Sequence, residues 1–275
     1  MPTLSEVAAG AAECVKKYDS ERFSTLFDRV LNAGIIDSVL KERQKSILDA
    51  AINEFIRTAR PVASRDLVNK FRFEVSPATI RNEMLELDEL GYLEQPHTSA
   101  GRTPTDLGYR FFVDNLTASA FLSPREMKLI DDIFSIRDES EFLRGFAKII
   151  SRISNTFTAI GAAKDDIFYE SGLAEITNQP EFQNTESMKN FSRLADSLWE
   201  ELNAAFGDLD KIEEKIFIGS ENPLPCARSY TMTVSSWRHP SGFRGFFTMV
   251  GPKRTNYKKQ KAVIENIKNR KNGKR

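Results

Sequence analysis

The sequence predicts an α+β fold with its helices first and its strands mostly last. Three observations carry that expectation. Apolar residues recur at the helical spacing of three to four through most of the first 206 positions. Three runs rich in β-branched and aromatic residues then follow: "KIFIGS" (215–220), "YTMTVSSW" (230–237) and "GFFTMVG" (245–251). The chain ends in a basic amphipathic stretch. Residues 252–275 hold ten Lys or Arg and one Glu, in a chain of zero net charge.

Residues 1–39 read as a helical N-terminal extension of two short helices, the second built on Phe23, Leu26, Phe27, Val30 and Leu31 and ended by Gly34. From Leu40 the pattern sharpens. Ile47, Leu48, Ala51, Ile52, Phe55 and Ile56 form one helical face, with Pro61 beyond its end. "SRDLVNKF" is a short second helix, with Ser64 as N-cap and Leu67, Val68 and Phe71 turned inward. "SPATIRNEMLELDELG" is a third, capped by Ser76, with Pro77 at the first helical position and Gly91 as a left-handed stop. A strand "YLEQ" and a loop follow, and Thr105 caps the next helix. Three short helices with a strand and loop make a winged helix-turn-helix over residues 40–116.

Residues 117–165 read as a helical linker or dimerisation region. It opens with Ser123, Pro124 and Glu126 at capping-box spacing. Residues 166–275 are the C-terminal domain, with a helix at 186–206, the three strands and the basic terminal helix. A three-stranded sheet is stable when helices cover one face, and the helices at 124–160 and 186–206 are the expected cover.

Composition narrows function by exclusion. The balance of 40% hydrophobic and 28% charged residues is that of a soluble domain. Cys14 and Cys226 form neither a disulfide framework nor a zinc knuckle, which points to a reducing cytoplasm. No apolar run approaches the roughly 18 residues of a membrane helix, and the N-terminus lacks a secretory pattern. A phosphate-cradling glycine loop, a metal-ligand spacing and a nucleophile elbow are all missing, so neither an enzyme nor a cofactor or metal site is expected.

The functional candidates cluster in the third helix and the loop "QPHTSAGRTPT" (95–105). A recognition helix presents its N-terminal outer face to the major groove. Opposite Ile80 and Met84 that face holds Ala78, Arg81, Asn82, Leu85 and Glu89. Arg81 suits guanine O6 and N7, Asn82 suits adenine N6 and N7, and Ala78 fits beside a thymine methyl. Ser76 and Thr79 suit phosphates at the helix N-terminus. In the wing, His97, Thr98, Ser99, Thr103 and the N–H groups around Gly101 are candidate donors, and Arg102 can reach a phosphate or a narrow minor groove. Pro96 and Pro104 stiffen the loop. The basic stretch from Lys253 to Arg275 could contact DNA flanks or lie in solvent.

"SPATIRNEMLELDELGYLEQPHTSAGRTPTDLGYRFFVD", with "LKERQKSILDAAINEFIRTARPV" before it, resembles the DNA-binding domain of the HrcA family, the heat-inducible transcription repressors of bacterial chaperone operons. "GLAEITNQPEF", "IFIGSENP" and "GFFTMVGPKRTNY" resemble that family's effector-domain motifs. The resemblance implies a GAF-like α/β domain, reduced here because few residues around 161–166 stand where the family carries a dimerisation insert and part of the sheet. It also implies a homodimer on an inverted-repeat operator in double-stranded DNA, repression of heat-shock genes released on heat stress, and a chaperonin that assists the folded form. "RTNY" (254–257) departs from a family pattern with a methionine and an acid, and Leu85 stands where a small residue is common. The competing reading is a winged-helix protein-interaction or RNA-binding module without operator specificity.

Overall fold

The computed structural model describes residues 40–98, 100–116, 121–162, 167–206 and 213–271. The expected N-terminal extension, Cys14 and Ser99 lie outside them.

Helix α1 (Glu42–Thr58) buries Ile47, Leu48, Ala51 and Ile52 and ends at Ala59 in the left-handed region, two residues before Pro61. Helix α2 (Ser64–Phe71) follows. Ala63 rather than Ser64 takes its N-cap position, and Ser64 is buried in the first turn. Phe71, expected inside, is 39% exposed, because α2 stops there and Arg72 turns left-handed. Helix α3 (Pro77–Glu89) forms as read. The Ser76 hydroxyl accepts the Thr79 N–H at 3.1 Å, and Ile80, Met84 and Leu87 are buried. Gly91 has φ +80°, which an L side chain resists. Strands β1 (Leu93–Glu94) and β2 (Thr103–Pro104) pair antiparallel. Helix α4 (Asp106–Asp114) is capped by Thr105, whose hydroxyl accepts the Gly108 N–H at 3.1 Å. Polar staples join the first three helices. Glu54 of α1 pairs with Arg57 at 2.8 Å and with Lys70 of α2, and Glu83 of α3 accepts from Arg43 of α1 at 2.7 Å.

Helices α5 (Pro124–Phe134) and α6 (Glu139–Ser154) come next, α5 opening with the expected capping box between Ser123 and Glu126. The helical reading then overran. Asn155 ends α6 in the left-handed region, and residues expected to remain helical form strand β3 (Phe157–Ala162). Strand β4 (Phe168–Ser171), the short α7 (Leu173–Thr177) and the long α8 (Thr185–Phe206) follow. Strands β5 (Lys215–Ile218), β6 (Tyr230–Arg238) and β7 (Arg244–Pro252) lead into α9 (Tyr257–Lys271). Among the described residues five strands make one antiparallel sheet in the order β4-β3-β7-β6-β5. The expectation of three strands is therefore corrected. β3 is buried along its whole length, so it shows no alternation to set it apart from the helix before it.

The sheet is covered on both faces, not one. Phe157, Ala159, Met232, Val234, Phe246 and Val250 pack with Phe191, Leu194 and Leu198 of α8. Ile160, Trp237, Phe247 and Met249 pack with Phe142, Phe146 and Ile150 of α6 and Val263 and Ile267 of α9. Helix α6, within the region read as a linker or dimerisation region, thus lies against the sheet as part of the expected cover. Two buried hydroxyls of β6 on this face are paired: Thr233 donates to Gln260 at 2.7 Å and Thr231 lies 2.9 Å from the Tyr257 hydroxyl. Asn256 caps the start of α9, its side-chain carbonyl accepting the Lys259 N–H at 3.0 Å. The 238–243 turn closes the β6–β7 hairpin, His239 donating its N–H to the Phe243 carbonyl at 2.9 Å. Its imidazole stacks on Phe243 at 4.1 Å.

Phe142 is fully buried between Trp237, His239, Phe134 and Phe243. Phe142→Ala should lower unfolding free energy by about 3–5 kcal/mol in urea titration. A second expectation concerns pH. Partial desolvation, and then the Asp196 and Glu200 carboxylates, push Glu170 up to about 7 from 4.5. A carboxyl that holds its proton more tightly in the fold than in the unfolded chain loses stability as pH rises between those values. The thermal midpoint should fall over that window in wild type, and Glu170→Gln should flatten the fall.

Candidate nucleic-acid interface

Helix α3 carries the outer face as the helical period required. Ser76, Ala78, Arg81, Asn82, Leu85 and Glu89 are all exposed. Arg81 and Asn82 stand side by side in its N-terminal half, and the acidic Glu89 lies two turns further on, so the side-chain chemistry suited to base edges sits at the end that enters a groove. The helix terminus itself is a weaker anion site than expected. Pro77 has no N–H, Ser76 already satisfies the Thr79 N–H, and half-buried Thr79 has its hydroxyl 3.0 Å from that of Ser76. Leu85, at 47% exposure, leaves an apolar spot between Arg81 and Glu89.

The wing departs further from its expected roles. His97 and Thr98 are exposed at its tip. Thr103 sits half-buried at its root in β2, paired opposite Glu94. The N–H groups flanking Gly101 are engaged inside the fold: Ala100 donates to His97 at 2.8 Å and Arg102 to Val62 at 2.9 Å. Gly101 itself lies against the α1–α2 connection, where an added Cβ would sit 2.3 Å from the Val62 carbonyl oxygen. Its glycine is needed for close approach rather than for phosphate binding. Arg102 is corrected as well. Its side chain is 15% exposed and its Nε lies 2.6 Å from the Asp88 carboxylate of α3. It ties the wing root to the recognition helix and does not reach outward.

Two holding residues were not singled out from the sequence. Gln95 donates to the carbonyls of Thr98 and Ala100, both at 3.0 Å, and clamps the wing tip. Asp88 anchors Arg102 from fourteen residues away, a separation with no local spacing rule to announce it. The basic terminal stretch is also settled differently. Helix α9 buries Tyr257, Gln260, Val263, Ile264 and Ile267 against the sheet. Several cations of the stretch are taken up within the fold: Lys253, before the helix, with Asp106 at 2.7 Å, and on the helix Lys259 with Glu126 at 2.8 Å, Lys261 on the Leu116 carbonyl at 3.1 Å, and Arg270 with Asp131. Over its described residues this helix is a structural layer on the sheet.

Among the described residues, no cluster of His, Cys, Asp and Glu could hold a metal ion, and no helix is long and apolar enough to cross a membrane. Cys226 donates its thiol to Glu201 at 3.2 Å.

Comparison with known proteins places the chain. The family model for the HrcA protein C terminal domain matches residues 115–260. The heat-inducible transcription repressor HrcA of Symbiobacterium thermophilum is 40% identical over 144 residues, which are 51% of this chain and 42% of that protein. The protein of the same name from Chloroflexus aggregans is 54% identical over 101 residues, 36% of this chain and 27% of the relative. The matched region is thus less than half the length of either relative. A crystal structure of a hypothetical protein at 2.2 Å resolution superposes with a TM-score of 0.64 at 17% identity, over 84% of this chain and 97% of that one, and shows the shared fold.

If the wing is held as these contacts indicate, Gly101→Ala should destabilise the chain by about 1–3 kcal/mol in urea titration, by forcing Val62 aside. Arg102→Met should leave the salt dependence of DNA binding unchanged, because its charge is directed at Asp88; a salt slope shallower by about 1 would show instead that Arg102 neutralises a phosphate.

Proposed function

This chain belongs to the HrcA family, and from that premise we propose that it is a transcription repressor of heat-shock genes that occupies an inverted-repeat operator and releases it on heat stress. The observation that carries the reading is the exposed pair Arg81 and Asn82 on the N-terminal half of α3, beside a wing braced from three sides by Gln95, Asp88 and Val62. A braced wing and helix lose little conformational freedom on docking. Two copies would place two such helices in successive major grooves, about 34 Å apart, and so call for an inverted repeat. Bound there, the dimer would occlude the promoter. Heat would act through marginal stability, since a few kcal/mol separate the binding-competent form from one that cannot bind. A chaperonin that restores the competent form belongs to the same proposal.

Genome-wide footprinting of the purified protein, with its mass in solution from light scattering, tests this directly. Protection of inverted repeats upstream of chaperone genes by a dimer is the expected result; protection scattered without sequence preference would favour a module that binds protein or RNA. On the recovered operator, Arg81→Ala should weaken binding by about 1–3 kcal/mol and relax base preference at one position of each half-site. Wild-type affinity and preference for that variant in a gel-shift titration would remove Arg81 from the interface.

A further inference from the structure

We infer that Arg110 and Asp106, on the helix that follows the wing, fix the orientation of the recognition helix relative to the sheet domain and thereby set the half-site spacing the protein accepts. The inference rests on the repressor reading above and adds to it a pair of positioning residues.

The contacts are specific. Arg110 of α4 donates through Nε to Glu221 at 2.9 Å, and through Nη2 to the other oxygen of that carboxylate and to the Ile216 carbonyl in β5. It also meets Asp114 one turn on at 3.1 Å. Arg110 and Glu221 side chains are 18% and 16% exposed. Glu221 is held in turn by the Ile218 N–H at 3.0 Å. One turn before Arg110, Asp106 accepts the Ser220 N–H at 2.9 Å and pairs with Lys253 at 2.7 Å. The turn at residues 219–221 that ends β5 therefore grips α4 at two successive turns. Gly219 has φ +55°, and an added Cβ would lie 2.1 Å from the Asp106 carboxylate, so only glycine lets that approach happen.

A third grip is aromatic: Tyr257 of α9 lies against Tyr109 and Phe112 of α4, at centroid distances of 5.7 and 6.3 Å. Apolar contact alone permits sliding. A guanidinium bonded at two points to one carboxylate has a direction and does not. The same α4 follows directly from β2, whose neighbour Arg102 is tied to Asp88 of α3. The orientation of α4 on the sheet is thus passed to α3 through the wing. In a dimer whose copies meet through the sheet domains, both recognition helices would then stand at a set distance, and a loosened α4 would lower the effective concentration of the second helix at its half-site.

The test uses the full chain with Arg110→Gln and Glu221→Gln combined, which removes the pair without leaving a lone buried charge. Anisotropy titrations take the operator recovered by footprinting, a single half-site from it, and versions with the spacer lengthened by one or two base pairs. The double variant should bind the half-site within about twofold of wild type and lose about tenfold or more on the full operator. It should also discriminate less between spacers. Equal losses on half-site and full operator would mean the pair only supports the winged helix's own folding, and wild-type behaviour on all duplexes would mean it positions nothing; either overturns the inference. A wild-type chain that selects no repeat defeats the repressor reading instead. In that case hydrogen exchange still reports on the grip: α4 amides should lose protection in the double variant while those of α8 keep theirs, and unchanged α4 protection would overturn it.

Discussion

The seam between α4 and the end of β5 is the contact on which the arrangement of the molecule depends. Without it the orientation of the winged helix on the sheet domain would rest mainly on apolar contact. With it, α4 belongs to both. Its inner face completes the core of α1 and α3 through Tyr109, Phe112 and Val113, and Arg110 beside them is bonded into the sheet domain. The seam joins these ion pairs to apolar contact from Ile216, Ile218 and Tyr257, and its polar part matters physically. A buried ion pair adds little net stability over an apolar contact, because both charges are desolvated, but it tolerates few alternative geometries. Orientation is what such a contact supplies.

The recognition surface follows the same logic at smaller scale. Side chains suited to base edges, Arg81 and Asn82, point outward from α3, while nearly everything near them that could have been a ligand contact is a brace. Arg102 holds the wing root to α3, Gly101 lets the wing lie on Val62, and Gln95 closes its tip. A loop that looked like a collection of phosphate donors is largely a device for holding two exposed residues, His97 and Thr98, in place beside the helix.

Much of the winged helix was legible in the sequence because its signals are local. Ser76, Pro77, Gly91, Thr105 and the Ser123–Glu126 box each act within a few residues of their own backbone, and each helix end formed where they stand. The outward face of α3 followed from the 3.6-residue period alone. Errors came where local signals were ambiguous. Strand β3 is buried on both sides and has no period of two to read, so it was absorbed into α6. Phe71 had the spacing of a core residue, but α2 ended too soon to bury it.

By itself the sequence determined the helix caps, the three late strands β5, β6 and β7, the outward set on α3 and a family resemblance concentrated in the wing. Only the tertiary structure decided what the charged residues do. Arg102, Arg110, Lys253 and Lys259 find their partners between fourteen and 147 residues away. No spacing rule encodes such pairs, since they exist only after the layers have packed. The basic terminal stretch, whose sequence left DNA flanks and solvent both open, forms a layer on the sheet for that reason: its apolar stripe covers a sheet face, and Lys259 and Lys268 meet Glu126 and Glu214.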